Sequence, residues 1–292
     1  MGMRLKGKVA IVTGAGAGIG KCIAIAFARE GAQVIVSSRR AENGNPVADG
    51  IRIAGGQAHF IRCDVSEEEE VKALTAEVDR NFGGADILVN NAGVNFVKPF
   101  LEVAPQDWDR VMRTDLRGTY LCTWFSLPGM LKKGAGSIIN ITSVHTMACL
   151  PGAAPYDAAK WGVVGFTKSL AVEMASRNIR VNALSPGLID TQIWQDIQAA
   201  APDLAACHRY WQNNIPMGRV GTAGEIASVA VFLASEEAAY ITGSNLVADG
   251  GMTSQLISQE PYDSSSLEGR ERQIQDGQTT GPLGQTVGAY PN

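Results

Sequence analysis

The sequence lacks any long apolar run. No run approaches the roughly 18 residues that a membrane-spanning helix needs, and residues 1–8 lack the apolar core of a signal peptide. Basic residues are not in excess, because 25 lysines and arginines face 29 aspartates and glutamates, for a net charge of -4. This balance argues against binding to a phosphate backbone as the main task. We therefore expect a cytoplasmic protein with neither a membrane nor a nucleic-acid partner.

Cysteine is scarce, and its count is odd. The five cysteines are widely spaced and mostly lie in apolar surroundings, which favours buried free thiols in a reducing compartment over disulfides or zinc. No group of histidines, cysteines and acids shows the spacing of metal ligands. We therefore predict no metal.

The chain does contain a regular alternation of short apolar runs and longer helical segments. Its 292 residues, 45% of them hydrophobic, are enough for a large α/β domain. Such alternation predicts a single Rossmann-type, doubly wound sheet of seven parallel strands with helices on both faces. The predicted strands are 8–13, 32–38, 58–63, 86–90, 137–142, 180–184 and 245–248. The predicted helices are 21–30, 46–54, 67–82, 106–133 (bent near Gly118 or Pro128), 156–176 and 223–235.

Two segments depart from this alternation. Residues 188–217 are long for a connection and rich in aromatic residues, so they form either a lid over a cleft or extra packing. From residue 253 onward the apolar periodicity is lost, which is typical of a mobile tail, although scattered apolar residues would let it anchor on a subunit. We take 1–252 as the domain and 253–292 as a C-terminal extension, and we predict that the extension docks on a neighbouring subunit.

A glycine-rich turn between the first strand and the first helix indicates a nucleotide site. Glycines there allow a pyrophosphate to approach the backbone at a helix N-terminus. The second strand ends without an acid to bind a ribose 2′-hydroxyl, whereas an arginine suits a 2′-phosphate. We expect NADP to be preferred, with NAD use still open. The predicted contacts in this region are Gly14, Gly16, Gly18, Ile19, Gly20, Ser38 and Arg39.

An acid/base centre is predicted at the end of the fifth strand. Tyr156 and Lys160 are four residues apart, so on a helix that begins after Pro155 they share one face. An ammonium held beside a phenol favours the phenolate, which is what a general base acting on an alcohol needs. Ser143 ends an apolar strand and presents a hydroxyl to the same cleft.

With the glycine turn, Asn90-Asn91-Ala92-Gly93, Ser143, Tyr156-x-x-x-Lys160 and Pro186-Gly187 in this order, residues 5–252 resemble the short-chain dehydrogenase/reductase family. The resemblance implies that Tyr156 is the acid/base, that Lys160 also holds the nicotinamide ribose, and that Ser143 positions the substrate oxygen. It also implies a homotetramer with the last helix and strand near the interfaces. The further cofactor contacts that it implies are Asp64, Val65, Asn91, Ala92, Gly93, Pro186, Gly187, Ile189 and Thr191.

One catalytic position departs from the family pattern. The family usually has an asparagine that completes a proton relay to the lysine, and this chain has Asp115 there. A backbone carbonyl that holds a water would allow the replacement, whereas a role for the carboxamide itself would slow the relay or shift its pH dependence. We expect Asp115 to be tolerated.

The substrate is less constrained by the sequence. Ser143-Val144-His145, 215–218 and 248–253 resemble bacterial glucose 1-dehydrogenases and related sugar or polyol dehydrogenases. We therefore predict hydride transfer between nicotinamide C4 and a secondary alcohol or ketone, with Ser143, His145 and Trp194 as substrate contacts; packing roles for His145 and Trp194 stay open. The alternatives are a 3-oxoacyl thioester or general ketone reductase and, in a different class, an inactive nucleotide-binding sensor.

Overall fold

The structure, a computed structural model, describes residues 3–256. Its strands are β1 Val9–Thr13, β2 Gln33–Ser38, β3 Gln57–Arg62, β4 Ile87–Asn90, β5 Gly136–Ile141, β6 Ile179–Pro186, β7 Ile189–Asp190, β8 Gly221–Thr222 and β9 Asn245–Ala248. Seven of them form one parallel sheet in the order β3-β2-β1-β4-β5-β6-β9, and β7 pairs with β8 outside it. The order reverses between β1 and β4, which is the position where doubly wound sheets bind ligands.

The helices cover both faces of the sheet. They are α1 Gly18–Arg29, α2 Ala41–Ile53, α3 Glu68–Phe82, α4 Pro105–Val111, α5 Gly118–Lys133, α6 Ala154–Met174, α7 Gln192–Ala200, α8 Leu204–Asn214 and α9 Ala223–Ala234. Buried side chains of α1, α2 and α9 form one core, and those of α3, α5 and α6 form the other. The predicted fold class is confirmed. Within residues 3–256, no helix is both long and apolar enough to cross a membrane.

Three helical predictions need correction. Helix α2 begins at Ala41 and not at Pro46, so this proline lies inside the helix rather than at its start. The predicted helix 106–133 is α4 and α5 joined by a π-helical segment, Met112–Arg117, so the irregularity precedes Gly118. Residues 188–217 contain two helices, α7 and α8, which the sequence analysis did not predict.

The five cysteines are free, as the sequence predicts. Cys63 and Cys122 are buried, and burial raises the pKa of the Cys63 thiol to about 12. Cys149 is exposed, which its apolar neighbours in the sequence do not predict. Buried thiols of this kind are held in the unreactive protonated form.

A buried polar network ties the sheet to the helices beneath the carboxyl edge. The Asn90 side-chain amide of β4 donates to Thr123 Oγ1 of α5 at 3.1 Å and to Asn140 Oδ1 of β5 at 2.8 Å. The Asn140 amide in turn donates to Thr167 Oγ1 of α6 at 2.8 Å. These hydrogen bonds link α5 and α6 to the strands, while Asn90 Oδ1 has no partner among the described residues.

Candidate active site

Strand β5 and helix α6 bring the predicted acid/base residues together. The chain leaves β5 at Ile141, Ser143 caps a short 3₁₀ turn at Val144–Thr146, and α6 begins at Ala154. Proline at the second position of α6 suits its first turn, where backbone N–H groups lack helical partners. Tyr156 therefore lies one turn before Lys160, above the end of the strand.

Lys160 is buried and held from three sides. Its Nζ lies 3.1 Å from Asp115 Oδ2, donates to the Ile141 carbonyl at 3.3 Å and lies 5.4 Å from the centre of the Tyr156 ring. Burial alone lowers the pKa of Lys160, but the charges of Asp115 and Tyr156 and the Asp115 hydrogen bond outweigh it and raise this pKa. The lysine therefore stays an ammonium beside the phenol.

Asp115 is placed by the π-helical segment and is almost fully buried. Its Oδ1 accepts from the Val94 backbone N–H at 2.8 Å, and its backbone carbonyl accepts from Thr119 Oγ1 at 2.7 Å. Its Oδ2 carries the ion pair with Lys160. The carboxylate thus contacts the lysine directly, and the sequence analysis did not predict this ion pair.

The glycine turn is packed against the Asn91-Ala92 motif. Gly14 has φ of +64°, and a Cβ there would lie 2.8 Å from the Ala92 Cα; a Cβ at Gly20 would lie 2.4 Å from Asn91 Nδ2. Thr13 Oγ1 accepts from the backbone N–H groups of Asn91 and Ala92 at 3.0 and 3.1 Å. Only glycine fits such a close approach, so this packing fixes the turn between β1 and the N-terminus of α1.

The start of α1 faces the cavity. Its N-cap, Ala17, provides no side-chain hydrogen bond, and Ala17, Gly18 and Ile19 line the cavity wall. The free N–H groups and the helix dipole give this end the character of an anion site. The structure thereby provides the cradle that a dinucleotide pyrophosphate needs.

The end of β2 carries the residues predicted to select the cofactor. Ser38 Oγ lies beside the glycine turn and donates to the Arg40 carbonyl at 2.8 Å. The Arg39 side chain is 60% exposed, and its Nη1 lies 3.9 Å from Asp64 Oδ2. At this exposure and distance the carboxylate holds Arg39 weakly, so the guanidinium remains available to a phosphate.

A cavity of about 520 Å³ extends from the start of α1 to the acid/base residues. Predicted residues that line it are Gly18, Ile19, Asn91, Gly93, Asp115, Ser143, His145, Tyr156, Lys160, Pro186, Gly187, Ile189 and Thr191. Predicted residues outside its lining are Gly14, Gly16, Gly20, Ser38, Arg39, Asp64, Val65, Ala92 and Trp194. Trp194 is buried against His208, with ring centres 5.5 Å apart, so the structure places it in the packing between α7 and α8.

Several residues that line the cavity were not predicted individually as site residues. They are Val94, Asn95, Val97, Leu150, Gln192, Ile193, Ile197, Trp211 and Met252. The i,i+4 spacing of Ile193 and Ile197 marks one apolar face of α7 and would have indicated them. Gln192 and Trp211 lie on α7 and α8, within the segment predicted as a lid or extra packing. The others come from separate segments, and no local pattern shows that these converge.

His145 has a buried partner that the sequence analysis also missed. Its Nδ1 lies 2.5 Å from Asp157 Oδ1, and its ring meets the Tyr156 ring edge-on with centres 5.2 Å apart. Its backbone N–H donates to Ser143 Oγ at 3.2 Å. His145 is thus joined to both residues that would contact a reacting oxygen.

A doubly wound sheet with a glycine cradle at its switch point and a Ser-Tyr-Lys centre beside it defines a nucleotide-dependent oxidoreductase. A family model described as enoyl-(acyl carrier protein) reductase matches residues 14–253. The chain belongs to the short-chain dehydrogenase/reductase family.

Three relatives are matched over nearly their whole length. The 3-oxoacyl-(acyl-carrier-protein) reductase of Thermotoga maritima is 38% identical over 250 residues, covering 86% of this chain and 99% of the relative. The structure of a gluconate 5-dehydrogenase from Burkholderia cenocepacia, in complex with NADP and tartrate, superposes with a TM-score of 0.82 at 35% identity, covering 87% and 98%. A short-chain type dehydrogenase/reductase from Mycobacterium marinum superposes with a TM-score of 0.80 at 37% identity, with the same coverage of 87% and 98%.

Proposed function

We propose that the protein is an NADP-dependent enzyme that transfers a hydride between nicotinamide C4 and a secondary alcohol or ketone of sugar or polyol type. The observation that carries this proposal is the convergence of Ser143, Tyr156 and Lys160 on one cavity at the carboxyl edge of the sheet. The bound cofactor would supply or accept the hydride.

In this mechanism the residues of the chain handle the proton and the oxygen. Tyr156 takes the hydroxyl proton during oxidation and returns it during reduction, while the Ser143 hydroxyl hydrogen-bonds the same substrate oxygen. The Lys160 ammonium, 5.4 Å from the Tyr156 ring centre, favours the phenolate that the base step requires. Asp115 places a negative charge beside the Lys160 ammonium, which keeps the ammonium stable in the buried interior.

The cofactor proposal is supported by the end of β2. Arg39 and the neighbouring Arg40 lie where a ribose 2′-phosphate would be bound, and β2 ends without an acid for a 2′-hydroxyl. The similar gluconate 5-dehydrogenase structure contains NADP. We therefore propose NADP as the preferred cofactor.

The sugar or polyol substrate class is supported by polar groups in the cavity. His145, Asn95 and Gln192 line it together with the reacting residues, and such groups suit hydroxyl-bearing substrates. The similar B. cenocepacia structure is a gluconate dehydrogenase with bound tartrate, a polyhydroxy acid.

A 3-oxoacyl thioester reductase is the second candidate, and apolar residues of the cavity favour it. Val94, Val97, Leu150 and Ile193 also line the cavity and suit an acyl chain. The T. maritima relative carries that name. An inactive nucleotide-binding sensor is disfavoured, because the Ser-Tyr-Lys centre is intact.

A screen of purified protein tests the proposal by following NADPH absorbance. We expect turnover with sugars, sugar acids or polyols in the oxidation direction, and less with acetoacetyl thioesters in the reduction direction. Tyr156→Phe should lose at least about a thousandfold in kcat while retaining the NADPH affinity of the wild type within a few-fold, because the ring stays and only the proton carrier is removed. Full activity of Tyr156→Phe would refute the assigned mechanism.

We further propose that residues 188–217 act as a lid and that the protein is a cytoplasmic homotetramer. Ile193, Ile197 and Trp211, all from this segment, line the cavity, which supports the lid. Exposed aromatic residues on α5 support an interface between copies, and the free thiols support a reducing compartment. The predicted docking of the C-terminal extension falls mainly on residues 257–292, outside the described residues.

A further inference from the structure

A buried histidine and aspartate form a pair inside the cavity wall. His145 lies in the 3₁₀ turn after β5 and Asp157 in the first turn of α6, twelve residues apart in the chain. The carboxylate is 2.5 Å from Nδ1, and both side chains are largely buried. A contact this short between buried groups fixes the rotation of the imidazole.

The aspartate also determines where the imidazole carries its proton. An ionised carboxylate only accepts hydrogen bonds, so Nδ1 must carry a hydrogen toward Asp157 in either charge state of the ring. Nε2 lies on the other side of the ring. No side chain or backbone group of residues 3–256 hydrogen-bonds Nε2, while His145 itself lines the cavity. Nε2 is therefore the group that the pair offers to a substrate.

The pair lies beside the reacting atoms. The His145 backbone N–H donates to Ser143 Oγ at 3.2 Å, and the imidazole contacts the edge of the Tyr156 ring with centres 5.2 Å apart. Ser143 and Tyr156 would hold the oxygen on the carbon that is oxidised or reduced. A small substrate bound there brings its next carbon within reach of the imidazole.

We propose that the His145–Asp157 pair recognises a hydroxyl on the carbon next to the reacting carbon, so that the substrates are vicinal diols and the corresponding 2-hydroxyketones. A hydroxyl both donates and accepts, so it satisfies Nε2 whether the ring is neutral or protonated, whereas a carbonyl satisfies only the protonated ring. Asp157 is a positioning residue, and His145 contacts the substrate. This inference rests on the proposed hydride transfer and names its substrate class.

The reaction stays balanced under this proposal. One hydroxyl-bearing carbon of the diol loses its hydride to nicotinamide C4, and its hydroxyl proton goes to Tyr156, giving a 2-hydroxyketone and NADPH. The neighbouring hydroxyl bound by His145 is unchanged. Reduction runs through the same groups in reverse.

The test compares a ketone pair that differs only in the neighbouring hydroxyl. Catalytic efficiency with NADPH is measured for 2-hydroxycyclohexanone and cyclohexanone, and their ratio is the readout. We expect the wild type to favour the hydroxyketone by at least about tenfold, as one buried hydrogen bond allows. His145→Phe, which keeps a ring, should reduce the ratio about tenfold, and His145→Gln should recover part of it through its side-chain amide. Asp157→Asn should lower the ratio to an intermediate value.

Glu173→Gln, an exposed carboxylate-to-amide change on the same helix, is the matched control and should leave the ratio unchanged. A wild-type ratio near one, or an equal ratio in wild type and His145→Phe, overturns the inference. A structural role alone would lower both efficiencies equally and leave the ratio intact.

A binding measurement separates this inference from the proposed function. Calorimetry with trans-1,2-cyclohexanediol and cyclohexanol, in the presence of NADPH so that no hydride transfer occurs, reports the same selectivity without turnover. Tighter binding of the diol that is lost in His145→Phe supports the pair even if no ketone is reduced, in which case only the proposed reaction fails. Equal binding of the two alcohols, or no binding of either, overturns the inference.

Discussion

At the scale of single residues, the pairing of Asp115 with Lys160 is the feature that most distinguishes this site. Both charges are almost fully buried, and the carboxylate oxygen lies 3.1 Å from the ammonium nitrogen. The buried lysine would be costly without a counter-charge, and Asp115 provides one. The acid at this position therefore stabilises the Lys160 ammonium in the buried interior.

We expect Asp115→Asn to destabilise the fold by about 3–5 kcal/mol near neutral pH, because it leaves a buried ammonium unpaired. In the wild type the raised pKa of Lys160 gives a stabilisation that is fully present below the ordinary lysine pKa of 10.5 and is lost as pH rises through the raised pKa. In the variant, burial lowers this pKa, so the folded state binds fewer protons than the unfolded state and stability rises with pH. Urea unfolding at two pH values, near 7 and near 9.5, should show a smaller deficit at the higher pH.

The same variant tests whether Asp115 is tolerated in catalysis. Maximal turnover should change less than about tenfold, which corresponds to some 1.4 kcal/mol of barrier. A larger gain in Asp115→Asn would show that the carboxylate impairs the proton relay.

Arg39 offers a second prediction at this scale. Arg39→Ala should lower the ratio of catalytic efficiencies for NADP over NAD by at least about tenfold, because a charge-assisted contact to the 2′-phosphate is lost. The control is Arg177→Ala, an exposed arginine just before the amino end of β6, far from the cofactor edge. An unchanged ratio in Arg39→Ala would remove this residue from cofactor selection.

At the scale of elements, strands were predicted more accurately than helices. Buried parallel strands such as Val9–Thr13 and Ile87–Asn90 are continuous apolar runs, and their side chains are buried throughout. The start of α2 was missed because Pro46 favours a first turn in sequence reasoning but lies inside this helix. The π-helical Met112–Arg117 has no local signature, yet it places Asp115.

Helix α2 provides a matched pair of glycine substitutions. Both Gly44 and Gly50 have negative φ, so alanine is compatible with the backbone at each position. A Cβ at Gly50 meets nothing within 4 Å, whereas a Cβ at Gly44 would lie 2.1 Å from a ring carbon of Phe60. We expect Gly50→Ala to stabilise the protein by about 0.5–1 kcal/mol through helix propensity. Gly44→Ala should destabilise it by about 1–3 kcal/mol through overpacking.

Denaturant unfolding of the two variants beside the wild type measures both effects. Opposite signs would show that packing against β3 decides the outcome, since helix propensity is the same for both. A stabilised Gly44→Ala would mean that Phe60 moves aside without cost.

At the scale of the whole molecule, the chain order of the motifs identified the centre of the site but not its walls. Ser143, Tyr156 and Lys160 could be predicted because a strand end and one helical turn fix their relation. The walls combine Val94 from a loop with Trp211 from α8, and their meeting depends on tertiary packing. The ion pair of Asp115 and the partner of His145 depend on it for the same reason.

The surface of α5 carries the last prediction, which concerns assembly. Tyr120 and Trp124 are 42% and 58% exposed with ring centres 6.0 Å apart, and Phe166 of α6 lies 6.4 Å from Tyr120. An exposed aromatic patch of this kind is typical of a contact between protein surfaces. If a second copy covers it, the double change Tyr120→Glu and Trp124→Glu would bury unpaired charges and should dissociate the proposed tetramer to smaller species. Light scattering after size-exclusion chromatography measures the size of the assembly.

Trp108→Glu, a change at an exposed tryptophan on α4 outside the patch, is the control. A tetramer that survives the double change would place the interfaces elsewhere, with the last helix and strand as the next candidates.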